Sequence, residues 1–190
     1  LDCPNIRGTE ALSACAKLNR FELQFTGEPR WISLDCLRGL NSLQNIRLDN
    51  VSTNFDFLED VVTPNTPSIR LDAFGPITDW SGLRFVPRFS RLAVAPRENN
   101  VDQLLDTIRD TPITELQLFD CKNLKVEDIP AQVDKLQIDR SYITSLEGLP
   151  CTNLTQLTLG KCWSLHSLAG VEQLEQLKEL YVYDTLLLTD

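Results

Sequence analysis

The sequence predicts an α/β solenoid, with a parallel sheet of about eight short strands along its inner side and loops, 3-10 turns or short helices outside. Three observations predict it. A unit of the form apolar-x-x-apolar-x-apolar recurs as Leu18/Phe21/Leu23, Leu43/Ile46/Leu48, Thr66/Ile69/Leu71, Phe89/Leu92/Val94, Ile113/Leu116/Leu118, Val133/Leu136/Ile138, Leu154/Leu157/Leu159 and Leu177/Leu180/Val182. The middle residues follow one another at steps of 25, 23, 23, 24, 20, 21 and 23. The composition, 42% hydrophobic and 24% charged over 190 residues, is that of a chain that buries a core.

Taken in chain order, residues 1–17 read as a partial N-terminal cap or a preceding repeat, with Ala11, Leu12, Ala14, Cys15 and Leu18 available to a short helix. Residues 18–190 hold the eight units. Alternation within each unit places two apolar side chains on one face of a strand. Only Thr66 breaks the apolar rule. Apolar residues at every third position then suit a turn of 3-10 or α helix, as at Ile77/Trp80/Leu83, Ile143/Leu146/Leu149 and Leu165/Leu168/Val171, so Trp80 is expected in the core. Unit four carries a true helix, with Asn99 or Asn100 as N-cap and Val101, Leu104, Leu105 and Ile108 on one face. Each unit leaves an open apolar face that only its neighbours cover. Neither end supplies a polar cap, and Leu186 to Leu188 would favour association through the ends. The chain contains no Met and no leader, so it reads as a processed chain or part of something larger.

These units resemble the leucine-rich repeat family, whose pattern is L-x-x-L-x-L-x-x-N/C-x-L with a period of 20–29 residues. The ninth position of that motif, which in the family points inward and bonds the turn backbone, falls on Thr26, Val51, Phe74, Arg97, Cys121, Ser141, Cys162 and Thr185. Cys121 and Cys162 are therefore expected to be structural, within an irregular spine. Units six and seven are similar to the short repeats of intracellular phosphatase-regulator-like proteins and bacterial internalins. The runs Leu116 to Leu124 and Leu157 to Leu165 look more like repeats of plant intracellular immune receptors. The resemblance implies a horseshoe or arc that binds proteins.

Composition narrows the chemistry. Net charge is −9, and the acidity is concentrated: residues 1–95 hold 10 Lys/Arg against 11 Asp/Glu, residues 96–190 hold 8 against 16. Such a field repels phosphate backbones and anionic lipid, so nucleic acid is not expected as a partner. No run approaches the roughly 18 apolar residues of a membrane helix, so no membrane insertion is expected. Cys3, Cys15, Cys36, Cys121, Cys151 and Cys162 lack the close spacing of a zinc site. Isolated buried thiols point to a reducing, cytoplasmic setting. A Cys3–Cys15 pair, as the disulfide caps of secreted family members imply, keeps a secreted or cell-surface reading open, together with the sequons at Asn50 and Asn153.

For catalysis the inventory is thin: one histidine, His166, placed outward between Leu165 and Leu168, no phosphate-binding loop and no nucleophile motif. The acid pairs Glu59/Asp60 and Glu127/Asp128 are adjacent in sequence and read as solvated loop residues. No enzyme activity, cofactor or metal is expected. The informative residues are those flanking the buried pair on each strand, which project in columns from the inner face. They place Arg20, Arg47, Arg70 and Arg91 across the first four units, with Asp49 and Asp72 within reach, and Phe119, Asp139, Tyr181 and Tyr183 toward the C-terminus. Exposed ion pairs stabilise by only about 0–1 kcal/mol each, which gives stability little reason to choose Arg four times. Arg and aromatic side chains are enriched where proteins meet. The expected function is a non-enzymatic recognition module that binds another protein through these residues. The alternatives are a secreted or cell-surface receptor fragment, and the substrate-recruiting domain of a larger enzyme.

Overall fold

The computed structural model describes residues 12, 14–96 and 100–185. Alternating apolar side chains produce the strands: β1 (Arg20–Gln24), β2 (Arg30–Trp31), β3 (Asn45–Asp49), β4 (Val51–Ser52), β5 (Ile69–Phe74), β6 (Phe89–Val94), β7 (Ile113–Phe119), β8 (Val133–Asp139), β9 (Gln156–Gly160) and β10 (Glu179–Tyr183). Eight of them form one open sheet in the order β1-β3-β5-β6-β7-β8-β9-β10, all neighbours parallel, while β2 and β4 make a small parallel pair beside it. Chain order is sheet order, so every connection leads to the adjacent strand.

The apolar centres lie in one register. Phe21 pairs with Ile46, Ile46 with Leu71, Leu71 with Leu92, and the row continues through Leu116, Leu136 and Leu157 to Leu180. This corrects unit three, whose centre is Leu71 and not Ile69. Ile69 pairs with Phe89, and the register shifts between Ile69 and Arg70, where β6 carries one extra residue. The physical cause is the alternation of Ile69, Leu71 and Ala73, which fits either register because a slip of two residues keeps every side chain on its face. The ninth position of unit three is therefore Pro76 rather than Phe74.

One face of the sheet is the core side. Ile46, Leu48, Leu71, Ala73, Leu92, Val94, Leu116, Leu118, Leu136, Ile138, Leu157 and Leu159 are buried there under the apolar residues of the connections. Fully burying one such side chain stabilises by about 1.5–3 kcal/mol. Trp80 is in the core as expected, stacked on Phe55 at 5.7 Å between ring centroids. Its indole N–H has no hydrogen-bond partner among the described residues. Among the described residues the connections between strands hold two helices, α1 (Leu58–Val61) and α2 (Val101–Ile108), and single 3-10 turns at Asp35–Leu37, Ser81–Phe85, Val126–Asp128 and Val171–Gln173. The apolar face expected for α2 is the one buried. Asn100 is the N-cap, as expected, and its carbonyl accepts from the Leu104 N–H at 3.1 Å; its side chain makes no capping bond, and the amide donates instead to the Ile77 carbonyl at 2.9 Å, tying α2 to the preceding connection. Asn99 lies outside the described residues, as do Cys3, Ala11 of the expected N-terminal helix, Arg97 and Leu186 to Leu188.

The strand exits share a backbone device. Asn50, Asp120, Arg140, Lys161 and Asp184 take φ of 57°, 58°, 51°, 52° and 53°, each four residues past its strand centre. Non-glycine residues enter this left-handed region at a cost, with Asn and Asp the least penalised. The next residue inward closes the turn. Cys121 and Cys162 are fully buried. The Cys121 N–H donates to Ser141 Oγ at 3.1 Å, and that hydroxyl donates to the Asp139 carbonyl at 3.1 Å. The Cys162 thiol donates to the Gly160 carbonyl at 3.4 Å. Burial pushes the thiols of Cys121 and Cys151 up to about 12 and raises that of Cys162, which keeps all three protonated and unreactive.

Candidate interaction surface

The opposite face of the sheet carries polar and aromatic side chains in three columns, set by the pleat. In the paired register the first column begins Arg20, Asn45, Arg70, Arg91, the second Glu22, Arg47, Asp72, Ala93, and the third Gln24, Asp49, Phe74, Ala95. With unit three centred on Leu71 rather than Ile69, Arg70 precedes the centre and Asp72 follows it, one column earlier than a centre at Ile69 implies. Their face was assigned correctly and their neighbours were not.

On β1, β3 and β5 each arginine pairs with the acid two residues on along its own strand. Arg20 meets Glu22, Arg47 Nε donates to Asp49 Oδ2 at 3.0 Å, and Arg70 Nη2 to Asp72 Oδ2 at 3.1 Å. These three arginine side chains stay 67%, 50% and 46% exposed. The Asp49 carboxylate raises the Arg47 guanidinium above its ordinary value. Between Arg20 and Arg70 the first column holds the shorter Asn45, and a pocket of about 120 Å³ opens there, lined also by Glu22, Ile46, Arg47 and Asp72.

From Asp72 onward the contacts cross strands. Asp72 is buried and accepts from Arg70 on one oxygen and from Arg91 Nε at 3.0 Å on the other. Arg91 also donates to Glu115 Oε1 at 3.0 Å and to Gln117 Oε1 at 2.8 Å, and Gln117 returns a bond to Glu115 at 2.6 Å. The small Ala93 and Ala95 leave room for this spread. Phe74 and Phe119, from the strands on either side of β6, approach edge-to-face with centroids 5.6 Å apart. Arg140 lies 5.6 Å from the Phe119 ring and holds both oxygens of Asp120, at 2.8 and 3.0 Å. Those bonds raise its guanidinium.

At the C-terminal end Tyr183 reaches across β9 and donates to Asp139 Oδ2 at 2.6 Å. Gly160, on the strand between them, makes the reach possible: a Cβ there would overlap the Tyr183 ring and stand 2.6 Å from Asp139 Oδ2. The bond to the carboxylate pushes the Tyr183 phenol up to about 12. Tyr181 stays 51% exposed, its hydroxyl 3.3 Å from Glu179.

All ten residues expected on this surface lie on it, in two roles. Arg20, Arg47, Arg70, Tyr181 and Tyr183 are open to solvent, whereas Asp72 and Asp139 are buried and hold their neighbours in place. Asp49 anchors Arg47, Arg91 is enclosed in its network, and Phe119 packs on Phe74. Sequence reasoning missed Phe74, Gly160, Arg140 and the open position at Asn45. The correct register would have put Phe74 beside Asp49. It also passed over Tyr142 and Trp163, 51% and 44% exposed, each six residues beyond its strand centre.

His166 is exposed, as its spacing predicted. Among the described residues no group of His, Cys, Asp and Glu side chains gathers in a way that would hold a metal ion. No described helix is long and apolar enough to cross a membrane. No family model matches the chain, and no curated protein matches it.

Proposed function

We propose that the chain is a leucine-rich-repeat arc and a non-enzymatic module that binds another protein through the polar face of its sheet. The observation that carries this reading is the set of arginines and tyrosines standing 38–67% exposed on a regular sheet face, each arginine oriented by its own carboxylate. Side chains held in one geometry lose little freedom on binding, and Arg and Tyr make large contributions at interfaces. The single register of eight apolar centres and the inward Cys121, Ser141 and Cys162 support the repeat reading. The buried, protonated thiols suit a cytoplasmic setting.

The test is affinity capture from native extract with the intact chain, an Arg47→Glu/Tyr181→Ala variant, and a control variant of the connection side, His166→Ala. A partner lost only in the first variant supports the reading. A partner retained by it, or none captured, overturns it. The secreted reading rests on a Cys3–Cys15 pair and the two sequons, of which Asn153 is exposed in a turn while the Asn50 amide is committed to the Phe25 carbonyl at 3.0 Å. Intact mass after alkylation of the unreduced chain separates the two: six modified thiols reject it.

A further inference from the structure

Several positions on the polar face place a short side chain between longer ones, and three of them end differently. Over Ala95 the gap is closed by Phe74 and Phe119, and over Gly160 by Tyr183 and Asp139. In both, the flanking groups attract each other. Over Asn45 the flanks are Arg20 and Arg70, two like charges that cannot close on one another. The gap therefore stays open, about 120 Å³ in volume, with Arg47 along its side.

The lining favours one kind of occupant. Three guanidiniums and the Asn45 amide border the gap beside the Glu22 and Asp72 carboxylates, which are already engaged by Arg20, Arg70 and Arg91, so the polar groups still open there are mostly donors. The hydrogen bonds Arg47 makes to described residues use Nε alone, leaving both of its terminal nitrogens, and Arg20 and Arg70 each leave one. Glu22, Asp49 and Asp72 fix the arginines in position and balance their charge. A balanced site in a chain of net charge −9 has no excess to receive a polyanion, whereas a single carboxylate supplies the acceptors the donors lack.

We infer that the gap above Asn45 seats one Asp or Glu side chain from an extended segment of the partner protein. The segment lies along β5, with an apolar side chain four residues from the acid meeting the Phe74–Phe119 pair. Arg70 and Phe74 are four residues apart on that strand, a span of roughly 13 Å that an extended peptide matches residue for residue. This inference rests on the polar face being the protein-binding surface.

The probe is a random twelve-residue peptide library displayed on phage and panned on the whole chain, with the enriched peptides remade and titrated by fluorescence polarisation. The expected result is enrichment of an Asp or Glu four residues from an apolar residue. Affinity should fall by about tenfold or more in Arg47→Ala, and equally when the peptide's acid becomes its amide. Asn45→Leu keeps every arginine and fills the gap, so it should weaken binding as much; circular dichroism verifies that both variants fold. Peptides that need no acid yet lose binding in Tyr181→Ala or Phe74→Ala overturn the carboxylate seat and leave the polar face as the binding surface. Peptides indifferent to every substitution on this face, or no enrichment, overturn both.

Discussion

The first three strands of the polar face and the last five share one pleat and one register, yet they arrange their side chains in opposite ways. On β1, β3 and β5 each cation is satisfied within its own strand, the arginines stay about half exposed, and a gap remains at Asn45. From β6 to β10 the main contacts run between strands, over Ala93, Ala95 and Gly160, and two of the acids they use, Asp72 at the boundary and Asp139, are buried. Whether a short residue leaves a hole or permits a bridge depends on the flanks. Complementary flanks close over it and like charges hold it open. The second region is consequently built to be rigid and the first to be available.

That contrast breaks if removing a buried anchor costs no more than removing an exposed pair. The largest expected effect is at the boundary: Asp72→Ala strips both Arg70 and the three-quarters-buried Arg91 of a partner and should destabilise by about 2 kcal/mol in urea unfolding. Next is Gly160→Ala, which pushes Tyr183 off Asp139 and should cost about 1 kcal/mol. The same variant has a signature in pH. Asp139 holds the Tyr183 phenol protonated, lifting it from 10.0 to about 12, so the folded state keeps a proton that the unfolded state releases first. This stabilisation is whole below pH 10.0 and is lost as pH rises through about 12; in Gly160→Ala the decline over that window should shrink, as unfolding midpoints at either end would read out. The smallest effect is the double change Arg20→Ala/Glu22→Ala, expected to stay within about 0.5 kcal/mol because the pair is exposed. A larger loss there would mean that the first region is held as tightly as the second.

The eight strands were legible because period-two alternation recurs every 20–25 residues, a pattern that survives poor matches such as Thr66. The register of unit three was not legible. Ile69, Leu71 and Ala73 satisfy the strand pattern at two offsets, and only the pairing with Leu92 and the extra residue in β6 choose between them. Phe74 went unseen for that reason. Arg140 was passed over because nothing local marks it: a left-handed arginine at a strand exit is unfavourable by itself and is held by Asp120 on the preceding turn. The openness of Asn45 lies in no single residue, since it needs the identities of both neighbours in their paired positions.

The two registers that Ile69, Leu71 and Ala73 allow have a consequence for how such a surface changes over time. A strand that slips by two residues keeps its apolar side chains in the core and presents the same polar side chains outward, but beside different neighbours. Lengthening or trimming a connection by a residue pair therefore shuffles the surface without altering one exposed letter. A lineage could acquire a new binding specificity through its loop lengths alone, while its strands remained unchanged.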